Sequence, residues 1–246
     1  MKYISKSKMV CYDTCPHKYF IRYIEKIKLP TLARPLVVGI DAHRNLENYV
    51  KKIDLNLVKE NPREGVETAM FQGLMDHQKE LLTGFKELEI QRASKCIKMD
   101  KPLEKYFLPK HTELKIRSDK LGIVGVIDRV DTLFNDTIGI FDYKTGNKKE
   151  ISKWNELELM TYYMLYKDKY PTEDVATSGI IYVSHMNPFK RLIPTPSLEA
   201  KIKTYIDNIR ESIELDLFAV PDDPMYCPCE YADYCTKFGG SLWVMY

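Results

Sequence analysis

The stretch Gly122-Ile-Val-Gly-Val-Ile-Asp128-Arg-Val130, followed after a polar gap by Ile138-Gly-Ile-Phe-Asp142-Tyr-Lys144-Thr-Gly146, decides the reading of this chain. Both runs are rich in β-branched residues and are bounded by turn-forming residues, so each reads as a β-strand. Strand alternation places Asp142 and Lys144 on one face and Tyr143 on the other. A carboxylate inside a Val/Ile-rich run is unfavourable unless it has a partner. A divalent cation shared by Asp128 and Asp142 is such a partner. It would also activate water and polarise a phosphate, while Lys144 offsets negative charge. Register tests the idea. A two-residue loop at 135 and 136 would set Asp128 opposite Tyr143, on the wrong face. A shared site requires an odd-length loop around Phe134 to Thr137, or a bulge, bringing Asp128 opposite Asp142 or Lys144.

Outward from these strands, Ser5 or Ser7 is placed to cap a helix running to about Lys26, with Pro30 and Pro35 breaking the chain beyond it. A second helix spans roughly Leu36 to Lys51 and carries Gly39, His43, Leu46 and Val50 on one side. Residues 63–107 read as helical, with Ala69, Leu74, Leu81, Phe85 and Leu88 among an inward stripe. Strands are expected near 111–118, 121–133 and 137–144. A helix near 152–168, strands near 176–184 and 189–194, and a helix near 196–216 complete the order. This order predicts an α/β fold, a mixed β-sheet core flanked by helices.

The length of 246 residues suits one sizeable core with a helical elaboration. With 37 Lys+Arg against 35 Asp+Glu the net charge is only +2, so any nucleic-acid track must be local. The densest candidate is Lys18, Arg22, Lys26, Lys28 and Arg34 among Tyr19, Phe20 and Tyr23; a solvated amphipathic helix explains the same stripe. No signal peptide or membrane span is expected, which places the chain in the cytoplasm with no membrane partner. Six cysteines in an intracellular chain argue for metal or thiol chemistry rather than disulfides. Cys96, remote from the others, reads as a small buried apolar residue.

The Asp128, Asp142-x-Lys144 pattern resembles the PD-(D/E)XK nuclease superfamily, and its surroundings resemble the RecB-like branch, including CRISPR-adaptation and AddB-type exonucleases. Val38-Gly-Ile-Asp-Ala-His43 is similar to the branch's histidine helix, and Glu113 lies in the strand before the motif. Glu158-Leu-Met-Thr-Tyr162 stands where the branch usually has Gln-Leu-x-x-Tyr. Cys15-Pro-His-Lys-Tyr19 with Cys227, Cys229 and Cys235 matches its split cysteine cluster, although Cys227 and Cys229 are one residue apart where two are usual. The resemblance implies one RecB-like domain over 1–246, of restriction-endonuclease-like fold, with a helical insertion and a terminal metal cluster formed by 11–15 with 227–235. It implies one or two Mg²⁺ or Mn²⁺ ions on His43, Asp128, Asp142 and the Tyr143 carbonyl, with Lys144 acting on the attacking water. Glu113 would sit near the metal or orient water, or be an exposed strand residue, and Tyr162 would stack or hydrogen-bond near substrate. The cysteines would hold a 4Fe-4S cluster or a zinc ion, with Cys11 as a spare. The expected activity is exonuclease cleavage of DNA from single-stranded ends, with the insertion guiding the strand, in recombination, repair, phage replication or CRISPR adaptation beside a helicase or integrase partner. The alternatives are a non-catalytic DNA-binding subunit of such a complex and a structure-specific or RNA-directed nuclease.

Overall fold

The computed structural model describes residues 3–29, 34–146, 150–185, 189–222 and 229–235. Helix α1 (Lys6–Thr14) stops at Cys15, which is extended because the following Pro16 disfavours helical geometry before it. Pro16 then opens α2 (Pro16–Tyr19), which runs into a π-helical turn over Phe20–Ile24. The single first helix expected from the sequence is therefore broken. Helix α3 (Arg34–Lys52) buries Ala42, Leu46 and Tyr49 along one stripe. Short helices α4 (Leu55–Glu60), α5 (Pro62–Phe71), α6 (Asp76–Leu81), α7 (Thr83–Lys98) and α8 (Leu103–Tyr106) come next, so the helical segment begins ahead of residue 63. Asp54 and Asn61 cap α4 and α5 with their side chains, and Pro62 sits at the first position of α5, where its missing N–H is no loss.

Strands β1 (His111–Ser118), β2 (Ile123–Thr132) and β3 (Ile138–Lys144) form an antiparallel meander. Helix α9 (Lys153–Lys169), capped by Ser152, crosses over to β4 (Val175–Tyr182), which runs parallel to β3. Strand β5 (Phe189–Leu192) adds antiparallel to β4, and α10 (Pro196–Leu215) comes after it. The mixed sheet has the order β1-β2-β3-β4-β5, as expected of an α/β core flanked by helices.

Alternation along β3 separates two cores. Ile138 and Ile140 pack with α1, α9 and α10, whereas Phe141 and Tyr143 pack with α3, α5 and α7. The residues between α3 and β1 therefore form a helical layer over one sheet face, with Cys96 fully buried in it. Gly125 in β2 lets α9 lie close on the opposite face, since a Cβ there would meet the Tyr162 ring at 3.1 Å and Leu165 at 3.0 Å. Among the described residues no helix is long and apolar enough to cross a membrane.

Candidate active site

The hairpin joining β2 to β3 sets the register. Thr132 pairs with Ile138, and the Leu133 N–H donates to the Thr137 carbonyl at 2.8 Å, closing an odd-length loop with Asp136 at φ 65°. Arg129 pairs with Phe141, so the next rung sets Asp128 opposite Asp142, as a shared site demands. The regular ladder ends there. Asp128 Oδ2 instead accepts the Tyr143 N–H at 2.8 Å, which pins its carboxylate where the two strands part.

A second irregularity lies at the same level. Glu113 takes φ 48° inside β1, a conformation that costs a non-glycine residue about 1–3 kcal/mol and persists where surrounding structure imposes it. Pairing is in step on both sides of it, Thr112 with Arg129 and Leu114 with Ile127. The side-chain alternation slips: Ile123 and Ile127 face the α9 core, and so does Val130. This kink re-aims Glu113 and Asp128 toward α3.

Helix α3 delivers His43 to that point. Its Nε2 lies 3.2 Å from the Tyr143 carbonyl, which can only accept, so Nε2 carries the hydrogen and, in the neutral ring, Nδ1 carries the lone pair. Nδ1 stands 3.4 Å from Asp128 Oδ1 and 3.8 Å from Glu113 Oε1. One donor atom each from His43, Glu113 and Asp128 lie within 4.8 Å of one another, a set able to hold a metal ion. Burial would push the imidazole pKa down, but the Asp128 and Glu113 carboxylates raise it to about 10. A proton or a metal ion can answer the negative charge here, and the two compete for the same nitrogen.

Next to this trio, Asp142 is 3% exposed, and its carboxyl is pushed up to about 8 by burial and then by the charges of Glu158 and Asp128, against the pull of Lys144. Its Oδ2 meets the Lys144 ammonium at 2.6 Å but makes no hydrogen bond of ordinary geometry. Lys144 also donates to Glu158 Oε2 at 2.7 Å. Burial opposes the charge on Lys144, yet the two carboxylates hold its pKa above the usual lysine range. The other Glu158 oxygen, Oε1, lies 3.0 Å from Lys6 and accepts from the Tyr162 hydroxyl at 3.4 Å. Burial would raise Glu158, but Lys144 and then Lys6 bring it below the usual glutamate value. Tyr162 is buried, and burial followed by the neighbouring carboxylates raises its phenol. The donor set fits a hard divalent cation, being rich in carboxylate oxygen with one imidazole.

All the predicted residues of this pocket therefore converge. Tyr143 contributes through its backbone; its hydroxyl points to the other face and accepts from Arg129 at 3.4 Å. Two features escaped the sequence reading. Lys6 opens α1 and carries no motif. Arg129 is fully buried, paired with Asp131 at 2.8 Å and Glu89 at 3.2 Å, so the residue next to Asp128 anchors β2 to α7.

Along α1 and the start of α9 the pocket opens into a cleft of about 700 Å³ lined by Lys6, Lys18, Arg22, Lys144, Trp154 and Tyr182. The described lining of this cleft includes no residue of α4 to α8. Of the expected basic stripe, Lys18 and Arg22 reach the cleft, whereas Tyr19 is fully buried beside Phe218. Lys18 also pairs with Glu230 at 2.9 Å, tying α2 to the C-terminal segment. Cys15 caps α2, with Sγ accepting from the Lys18 N–H at 3.4 Å, and the Cys229 and Cys235 sulfurs are near enough to bear on its titration. Cys227 lies outside the described residues.

Fold and site together define an α/β core with an acidic, lysine-bearing pocket suited to a cation and a phosphate. The family model of the PD-(D/E)XK nuclease superfamily matches residues 3–236, and the chain belongs to that superfamily. Among solved structures, the crystal structure of a candidate exonuclease from Eubacterium rectale is similar, with 13% identity and a TM-score of 0.49 over 92% of this chain and 86% of that one. No curated protein sequence matches the chain.

Proposed function

We propose that this nuclease-superfamily chain is a Mg²⁺- or Mn²⁺-dependent DNA exonuclease of the RecB-like branch, acting on single-stranded ends. One observation carries the reading: the His43, Glu113 and Asp128 set adjoins the Asp142–Lys144 pair, and Lys144 in turn lines the basic, aromatic-edged cleft. His43, Glu113, Asp128 and Asp142 would hold the ion. When bound, it supplies Lewis-acid polarisation of a phosphate and of a water. The Nε2–H to Tyr143 bond fixes the His43 ring for this task, and the Tyr143 N–H fixes Asp128. Lys144 orients the attacking water and stabilises charge developing on the phosphate, with Asp142 and Glu158 holding its ammonium in place. Lys18 and Arg22 contact the backbone of the strand, while Trp154 offers a face on which a base stacks without being read. The cleft is in the size range that encloses a drug-sized molecule, which suits one or two nucleotides of a strand end.

The same reading assigns Cys15, Cys227, Cys229 and Cys235 to a structural metal centre joining the termini. The resemblance favours a 4Fe-4S cluster, which soft thiolates suit, with a zinc ion as the alternative.

Linear and circular single-stranded DNA of one sequence, incubated with Mg²⁺, Mn²⁺ or EDTA, test the activity. Mononucleotide or short-oligonucleotide release from the linear form alone, abolished by EDTA, is the expected result. Cleavage of circles rejects the exonuclease reading, and no cleavage by an iron- and Mn²⁺-replete preparation favours a DNA-binding subunit.

A further inference from the structure

Two carboxylates, Asp142 and Glu158, share the single ammonium of Lys144. Lys144 spans Asp142 at 2.6 Å and Glu158 at 2.7 Å. A phosphate approaching the same lysine would meet the surplus negative charge of Glu158, which is only 9% exposed at its side chain and so poorly screened by water. Lys6 answers that charge from a different helix, with Nζ 3.0 Å from Glu158 Oε1. The Tyr162 hydroxyl donates to the same oxygen. Helices α1 and α9 are joined again by Lys153 and Asp13 at 2.7 Å, so the placement of Lys6 does not rest on its own ion pair.

We propose that Lys6 is a positioning residue of the nuclease site: it pairs with Glu158 so that the two act as one net-neutral group, which holds Lys144 by a hydrogen bond while leaving its charge to the substrate phosphate. This rests on the nuclease reading above. A direct phosphate contact by Lys6 is the competing role, and the two differ in what happens when Glu158 loses its charge. If Lys6 serves Glu158, it becomes dispensable beside a neutral residue. If Lys6 serves the phosphate, it is needed whatever stands at 158.

The test is a double-mutant cycle with Lys6→Met, Glu158→Gln and both together, in the full chain. Steady-state cleavage of linear single-stranded DNA with Mn²⁺ gives kcat and KM, and thermal unfolding in metal-free buffer gives a second cycle independent of activity. Lys6→Met is expected to lower kcat about tenfold or more with KM little changed when residue 158 is Glu. It should lower kcat less than about threefold when residue 158 is Gln, a coupling within the range for side chains sharing an ion-pair network. The melting cycle should be non-additive in the same sense. Equal losses in both backgrounds, or a loss confined to KM, overturn the proposal. A wild type that cleaves no DNA removes the nuclease reading, and the melting cycle then still judges the pair, additive midpoints overturning it.

Discussion

Replacing Lys144 by Met keeps the length of the side chain and removes its charge from the centre of the site. An ammonium about 4 Å from a developing phosphoryl charge is worth about 4 kcal/mol at an effective dielectric near 20. Asp142 and Glu158 already draw on that ammonium at 2.6 and 2.7 Å, so the gain realised in the transition state falls toward the ~10²–10³ in kcat typical of one preorganised donor. The substitution should therefore lower kcat by ~10²-fold or more. It should also strip a partner from two buried carboxylates, one of which retains Lys6, and destabilise the metal-free protein by up to about 3 kcal/mol. Divalent metal should restore part of that stability, because the ion supplies charge beside Asp142. Single-turnover cleavage of end-labelled DNA, with melting curves to confirm the fold, measures both effects. A folded Lys144→Met protein cleaving within about threefold of wild type refutes the role given to this lysine.

Asp128→Ala should abolish metal-dependent cleavage, since the carboxylate both faces His43 and holds the Tyr143 N–H; activity within tenfold of wild type, measured with Mn²⁺, removes Asp128 from the site. Burial lifts the Glu89 carboxyl from 4.5 to about 7, against the opposing charge of Arg129. The folded protein thus binds this proton more tightly than the unfolded chain. The resulting stabilisation, about 3 kcal/mol at most, is full below pH 4.5 and is lost as pH rises through 7. Urea midpoints of Glu89→Gln should accordingly gain on wild type between pH 5 and pH 8, and parallel pH profiles contradict the shift. Anaerobically purified protein should be brown with about four irons per chain, and Cys15→Ser should lose colour and thermal stability together; colourless protein with one zinc keeps the staple but rejects the cluster.

The strands and their faces were legible because a period of two admits few readings once Asp142 and Lys144 are fixed on one side of an apolar run. Parity alone demanded the odd loop between β2 and β3, and Asp136 at positive φ supplies it. The break at Cys15 was open to the same kind of reading, since Pro16 disfavours helix in the residue before it, but the continuous run of helix-forming residues masked it. Glu113 could not be resolved by pattern, because its approach to His43 depends on a backbone kink shared by two strands, and no residue type announces a glutamate at φ 48°. Lys6 was invisible for a related reason. Its role depends on Glu158, distant in sequence, and on the packing of α1 against α9, which periodicity does not encode. Arg129, inside the expected strand, shows no sign in sequence that the fold buries it between Glu89 and Asp131.

Everything proposed for the chemistry depends on His43, Glu113, Asp128 and Asp142 forming one divalent-cation site. Anomalous diffraction from crystals soaked in Mn²⁺ locates such an ion directly. A Mn²⁺ peak is expected within about 2.4 Å of His43 Nδ1 and of carboxylate oxygens from Asp128 and at least one of Glu113 and Asp142. A peak elsewhere with this pocket vacant, or His43 and Asp128 still in direct contact at saturating Mn²⁺, would contradict the shared site.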